Sequence, residues 1–187
     1  MGAGAVHDGG SMFATILFPT DLTQRAETLL DCIAGIPQVK EIILLHVVKE
    51  TRHPMGAPGV EALAKKKAGK ALHAAKDYLA SLNPAIRVTP DTLVAADVAD
   101  GILASAEKHH ADLIVIAAEQ KEVRAGILLG SVPSTLLCRV SRPNILIMRH
   151  KIIENLQGTT YEKFCPRIFS KILCPTHFSE FSEHATA

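Results

Sequence analysis

Five short apolar segments recur along the chain, and each is followed by a polar or glycine-containing stretch. Branched aliphatic residues dominate these segments, and most of them carry apolar side chains at successive positions. That pattern is typical of strands that are buried on both faces of a parallel sheet. The predicted strands cover residues 13–18, 42–48, 86–94, 112–116 and 144–148.

Apolar residues between these segments recur three and four positions apart, which predicts amphipathic helices. Thr20 or Asp21 can cap the first helix, which is expected to end at Gly35, and Asp97 can cap the third. Pro133 falls in the first turn of the fourth helix, where proline is tolerated. The other helices are expected over residues 60–82, 97–110 and 131–140.

Strands that alternate with helices predict a parallel sheet with right-handed crossovers and helices on both faces. The expected fold class is therefore α/β, with a five-stranded parallel sheet in a Rossmann-like three-layer sandwich. Ligands of such sheets bind beyond the carboxyl ends of the strands, where the strand order reverses. The residues at those ends are predicted to line one crevice: Pro19, Thr20, Asp21, Val47, Val48, Ile116 and Ala117.

The segment from Ala117 to Ser131 is predicted to bind a phosphate group. It begins as a polar loop after an apolar strand, ends in Leu-Leu-Gly-Ser, and leads into the fourth helix. A helix N-terminus offers unpaired N–H donors and the positive end of the helix dipole. The helix start at Gly130 and Ser131 is therefore a candidate phosphate contact.

Composition argues against several classes of partner. The net charge of +1 gives no general attraction to nucleic acid or to an anionic membrane. Aromatic residues make up only 4% and Trp is absent, which disfavours a base-stacking surface. No segment approaches the roughly 18 apolar residues of a membrane span. Without a signal-peptide pattern at the N-terminus, a cytoplasmic location is expected, and residues 1–11 are interpreted as a flexible leader or tag.

Catalytic and metal-binding patterns are not evident. None of the four Cys forms a C-x-x-C pair, so they are expected to be buried or incidental thiols. His109 and His110 are adjacent and cannot share one helix face. We expect no metal beyond a Mg²⁺ that accompanies a nucleotide. Because there is no Walker lysine and no Ser-His-Asp set, an enzyme is not expected.

The C-terminal residues repeat the first strand. At a constant offset, Phe13, Ile16, Leu17, Pro19 and Thr20 recur as Phe169, Ile172, Leu173, Pro175 and Thr176. Self-similarity of this kind indicates tandem domains. We therefore expect a complete domain over residues 12–150, a linker over 151–168, and the truncated start of a second copy over 169–187.

The motifs as a set resemble the universal stress protein family. The resemblance covers residues 13–149 and rests on Phe-x-x-Ile-Leu-Phe-Pro-Thr-Asp from Phe13, Ile-Leu-Leu-His-Val from Ile43, Asp-Leu-Ile-Val-Ile from Asp112, Leu-Gly-Ser-Val from Leu129, and Arg-Pro-x-x-Leu-Ile from Arg142. It implies an adenine nucleotide alpha hydrolase-like sheet and a homodimer formed through residues 145–148. It also implies a crevice that binds ATP or AMP in some members, and tandem copies in many.

The phosphate loop departs from the family pattern. ATP-binding members have Gly-x2-Gly-x9-Gly-Ser here, whereas Ala117 and Gln120 replace the first two glycines. Glycine at such positions lets the backbone approach a phosphate closely, so nucleotide binding is expected to be weakened. The resemblance assigns ribose to Asp21, adenine to Val47 and Ile116, and phosphates to Gly130, Ser131 and Val132. Asp21 and Ser131 could instead be only helix caps.

Three functional hypotheses remain open from the sequence. The first is a regulatory or signalling module of the universal stress protein type with a degenerate ATP or AMP crevice. The second is a nucleotide-free module for dimerisation or protein interaction. The third is a nucleotide hydrolase, which rests on fold analogy alone and is disfavoured.

Overall fold

A computed structural model of the chain describes residues 13–50, 60–118, 121–123, 126–128, 130–149, 152–155 and 158–161. The strands within these residues are β1 (Thr15–Pro19), β2 (Glu41–Lys49), β3 (Arg87–Ala95), β4 (Leu113–Ala118), β5 (Lys121–Val123), β6 (Gly126–Leu128), β7 (Asn144–Arg149), β8 (Ile152–Asn155) and β9 (Gly158–Tyr161). The helices are α1 (Gln24–Glu27), α2 (Leu30–Ala34), α3 (Val60–Leu82), α4 (Val98–Lys108) and α5 (Ser131–Arg139).

Five of the strands form one parallel sheet in the order β3-β2-β1-β4-β7. The chain winds outward from β1 to β3 on one side and from β4 to β7 on the other, so the strand order reverses between β1 and β4. β3 and β7 are the edge strands. Pro90 lies within β3, in register with Leu44 of β2.

The sheet separates two apolar layers, as expected when successive side chains of a strand point to opposite faces. Leu72 of α3 and Ile33 of α2 pack with Phe18 on one face. Ile102 of α4 and Leu136 of α5 pack on the other. Seven aliphatic and aromatic side chains of β1 and β2 in these layers are completely or almost completely buried: Ile16, Leu17, Phe18, Ile42, Ile43, Leu44 and Leu45. The predicted five-stranded α/β sandwich is confirmed.

The first helix differs from the prediction, because it is broken into α1 and α2. Thr23 is the N-cap of α1, and its hydroxyl accepts a hydrogen bond from the Ala26 N–H at 3.4 Å. Asp21 cannot cap the helix since its Oδ1 accepts from the Thr23 N–H and hydroxyl instead. The prediction of a cap at Thr20 or Asp21 was therefore wrong.

The other helix boundaries follow the sequence signals closely. α3 covers the predicted residues 60–82. Asp97 caps α4 and accepts from the N–H groups of Ala99 and Asp100 at 2.8 Å and 3.2 Å. Gly35 is the C-cap of α2, as predicted.

Two antiparallel hairpins were not predicted. β5 pairs with β6 inside the segment that was expected to be a phosphate-binding loop. β8 pairs with β9 inside the segment that was expected to be a linker, so this segment contains regular structure. Each strand has only three or four residues, which is too short for hydrophobic periodicity to distinguish a strand from a loop.

Several predictions fall on residues outside the described part of the chain. They concern the leader at 1–11, Gln120, and the repeat at 169–187. Among the helices that are described, none combines the length and the hydropathy needed to cross a bilayer.

Cys138 is exposed and free, whereas Cys32 is buried and disulfide-bonded. The prediction of a thiol at Cys32 was therefore wrong.

Candidate functional site

A crevice opens at the carboxyl ends of β1, β2 and β4, where the strand order reverses. Its volume is about 340 Å³, which is within the range of small-molecule sites. The described residues that line it are Pro19, Thr20, Asp21, Ala26, Leu45, His46, Val47, Val98, Ile102, Ile116, Ala117 and Val132. Seven of the ten predicted site residues are among them; Val48, Gly130 and Ser131 are not.

The loop after β1 is fixed by backbone and side-chain hydrogen bonds. The Thr20 N–H donates to the Leu45 carbonyl at 2.8 Å, which extends the pairing of β1 with β2. The Thr20 hydroxyl accepts from the Leu22 N–H at 3.0 Å. Leu22 has a φ of 61°, an unusual conformation for a branched side chain that this hydrogen bond helps to hold. The loop therefore presents Asp21 in a defined position at the mouth of the crevice.

Asp21 keeps one carboxylate oxygen available for a ligand. Both intramolecular bonds use Oδ1, at 3.0 Å from the Thr23 nitrogen and 2.6 Å from the Thr23 hydroxyl oxygen. A carboxylate has two oxygens with about four acceptor positions. The exposed Oδ2 can therefore accept from a pair of hydroxyl groups such as those of a ribose.

His46 is a crevice residue that the sequence analysis did not assign to the site. Its Nδ1 lies 2.9 Å from the Thr20 carbonyl oxygen. Because a carbonyl can only accept, Nδ1 must carry the proton. The bond ties β2 to the loop that carries Asp21. The available signal was a polar residue within an otherwise apolar segment.

The crevice walls are apolar and closely packed. Val47 and Ile116 contribute branched side chains from the strand ends, and Val98 and Ile102 contribute theirs from α4. Gly101 allows α4 to approach this wall, since a Cβ at that position would lie 2.9 Å from Cγ1 of Val47. An apolar slot of this kind can hold the ring of a heterocycle. The sequence did not predict the α4 residues as lining residues because helix docking is a tertiary feature.

The N-terminus of α5 is shaped differently from the prediction. Gly130 is the N-cap, and no side chain caps the helix, so the alternative that Ser131 is only a helix cap does not hold. Ser131 occupies the first helical position, and the Ser134 N–H bonds back to the Gly130 carbonyl at 3.1 Å. The first turn contains no acidic residue. Its unpaired N–H groups are consequently able to bind an anion next to the crevice, where Val132 forms part of the wall.

The titratable side chains among the described lining residues are Asp21 and His46. Within the described part of the chain, no three His, Cys, Asp or Glu side chains converge to hold a metal ion. The geometry favours binding of a polar, flat ligand.

A parallel sheet with a crevice at its switch point places the molecule among the doubly wound, Rossmann-like α/β folds. The family model for the universal stress protein family matches residues 12–147. The chain belongs to the universal stress protein family.

Three known proteins illustrate the similarity. The chain is 26% identical to the universal stress protein MJ0577 of Methanocaldococcus jannaschii, over 74% of this chain and 96% of that protein. A solved structure of MJ0577 superimposes with a TM-score of 0.63, at 26% identity over 75% of this chain and 99% of that one. A universal stress protein solved in complex with cAMP has a TM-score of 0.58, with 23% identity over 74% of this chain and 98% of that chain.

Proposed function

We propose that this domain is a regulatory or signalling module whose crevice binds an adenine nucleotide weakly. The observation that carries the proposal is the 340 Å³ crevice at the switch point, with apolar walls and the Asp21 carboxylate at its mouth. The N-terminus of α5 adds N–H donors for a phosphate. A structural neighbour in complex with cAMP supports an adenine nucleotide as the ligand class.

Weak binding is expected from the loop after β4. Ala117 lies at the crevice where a glycine would let the backbone approach a phosphate, and its methyl group keeps the phosphate further away. A regulatory module needs an affinity near the prevailing nucleotide concentration, so weakened binding is compatible with that function.

Calorimetric titration of the full chain with ATP and with AMP, each with and without Mg²⁺, tests the proposal. We expect saturable heat and a thermal shift at millimolar nucleotide, since a ligand that binds only the native state stabilises it. Asp21→Ala should weaken binding by about tenfold, the effect of one charge-assisted hydrogen bond. Asp77→Ala, which removes an exposed carboxylate from α3, is the matched control. Absence of heat and of a thermal shift at millimolar nucleotide contradicts the proposal.

The loop is tested separately by restoring glycine at both altered positions. The double variant Ala117→Gly, Gln120→Gly should bind ATP more tightly than the wild type. Unchanged affinity would show that these two side chains do not limit nucleotide binding.

A second candidate function is dimerisation through β7, favoured by its position at a sheet edge. Ile145, Leu146 and Ile147 of this strand remain partly exposed. An apolar edge strand is a surface for pairing with another chain. Light scattering should show a dimer for the wild type and a monomer for Ile145→Lys, with Leu137→Lys on α5 as the control for an exposed apolar residue. A dimer that persists in Ile145→Lys excludes this surface.

A further inference from the structure

The third helical position of α5 is a proline. Gly130 is the N-cap, so Ser131, Val132 and Pro133 are the first three residues of the helix. The N–H groups of these positions have no carbonyl partner inside a helix and are the donors that bind an anion. Because proline has no N–H, the start of α5 offers two such donors, from Ser131 and Val132, instead of three. The next N–H, that of Ser134, already donates to the Gly130 carbonyl at 3.1 Å.

Pro133 is a fixed part of the helix start. Its ring is buried, and its Cδ would lie 3.7 Å from a Cβ at Gly130, which is an ordinary van der Waals distance. Val132, the residue before it, forms part of the crevice wall. The missing donor is therefore next to the crevice and not in a remote part of the helix.

Other donors near the crevice do not replace the missing one. The described residues between Ala118 and Gly130 are those of β5 and β6, which pair with each other. Antiparallel pairing engages backbone N–H groups of both strands, and these groups are then not available to a phosphate. None of the described lining residues of the crevice is a Lys or an Arg, and Asp21 contributes a carboxylate at its mouth. The described part of the site can therefore satisfy few phosphate oxygens.

Two helical donors suit one phosphate group better than a chain of three. Sites that bind a triphosphate use several backbone N–H groups together with a lysine and Mg²⁺. The phosphate of a monophosphate concentrates almost two negative charges and three acceptor oxygens on one group at neutral pH. The corresponding group of a triphosphate is bonded on both sides and carries less charge, so it interacts more weakly with the positive end of the helix dipole.

We propose that the crevice binds adenosine monophosphate in preference to the di- and triphosphate, and that Pro133 sets this preference because it removes the third N–H donor. The inference rests on the proposed function, since it requires that the adenosine part occupies the crevice. It adds the class of nucleotide and a residue that determines the specificity.

Calorimetric titration of the full chain with adenosine, AMP, ADP and ATP, with and without Mg²⁺, tests the proposal. We expect AMP to bind about fivefold more tightly than adenosine, the effect of one anion at a helix N-terminus. ADP and ATP should bind no more tightly than AMP. An affinity that rises from AMP to ATP, or equal binding of adenosine and AMP, overturns this inference and leaves the proposed crevice ligand, an adenine nucleotide, in place. Absence of binding by all four compounds overturns both.

The variant Pro133→Ala supplies the missing N–H. It should bind ATP about tenfold more tightly than the wild type, the effect of one hydrogen bond to a charged group, and adenosine with unchanged affinity. The adenosine titration also detects any distortion of the crevice by the loss of the buried ring. Pro90→Ala adds an N–H in β3, outside the described lining residues, and is the matched control that should leave every affinity unchanged. Unchanged ATP affinity in Pro133→Ala, with adenosine binding preserved, overturns the role of Pro133.

Discussion

Substitution of Gly101 by alanine probes how closely α4 approaches the crevice wall. A Cβ at this position would lie 2.9 Å and 3.2 Å from the two methyl groups of Val47 and 3.2 Å from Cβ of Ala95. Ordinary contacts at such an atom begin at 3.4 Å. Val47 is β-branched and stiff at χ1, and Ala95 has no rotamer to change, so α4 itself must move.

The expected change in the free energy of unfolding results from two opposing effects. Overpacking of a close contact costs about 1–3 kcal/mol, whereas replacement of glycine by alanine inside a helix gains about 1 kcal/mol. The net effect of Gly101→Ala is a loss of about 0–2 kcal/mol. Gly69→Ala in α3 is the matched control, because nothing lies within 4 Å of its added Cβ. It should raise stability by about 1 kcal/mol.

Urea denaturation of both variants measures the two free energies of unfolding. Because the helix propensity gain is common to both, their difference isolates the overpacking cost, which we expect to be about 1–3 kcal/mol. If Gly101→Ala is stabilised as much as Gly69→Ala, α4 does not pack tightly against Val47. The close contact between α4 and the crevice wall is then refuted. If it is less stable, nucleotide binding by the variant shows whether displaced Val47 also perturbs the slot.

Three further predictions concern single side chains. Burial raises the pKa of Asp91, but hydrogen bonds from His109 and Lys108, each at 3.0 Å, outweigh burial and keep that pKa below its ordinary value. A carboxyl whose pKa is lowered in the folded state stabilises the fold at pH values above its unfolded pKa of about 3.9, and this contribution is lost as the pH falls. Asp91→Asn should therefore reduce the loss of stability at acid pH when the free energy of unfolding is measured against pH. An unchanged acid part of that curve refutes the ion pair. Ser105→Ala removes a buried hydroxyl without a hydrogen-bond partner among the described residues and should raise the melting temperature or leave it unchanged. Thr23→Ala removes the cap of α1 and should cost about 1 kcal/mol in urea denaturation, whereas Thr23→Asn, which keeps a cap acceptor, should cost less.

The sequence predicted the sheet well because burial on both faces demands continuous apolar segments. Each main strand lies within two residues of its predicted bounds, and the alternation with helices indicated the parallel order. Helix caps were less predictable. Asp97 has no competing partner and caps α4 as expected. Asp21 instead accepts through Oδ1 from the backbone and hydroxyl of Thr23, a local competition that composition and spacing do not reveal.

For the candidate site, topology allowed the strand-end residues to be predicted but not the rest. Asp21, Val47 and Ile116 follow from the rule that ligands bind at the carboxyl ends of strands. Ile102 comes from α4, whose position over the sheet is fixed by the absence of a side chain at Gly101. The proton on Nδ1 of His46 follows only from its contact with the Thr20 carbonyl, which joins residues 26 positions apart.

The two edges of the sheet are chemically unlike, and this limits how copies can assemble. Pro90 has no N–H, and a proline within an edge strand turns its nitrogen toward the open side. The outer edge of β3 therefore lacks one backbone N–H donor in the middle of the strand, where an added strand would need it. The edge at β7 has no proline among the described residues 144–149. A sheet that can pair with another strand at one edge only can be joined to one other sheet. If copies join through β7, this favours a closed dimer over an open fibre.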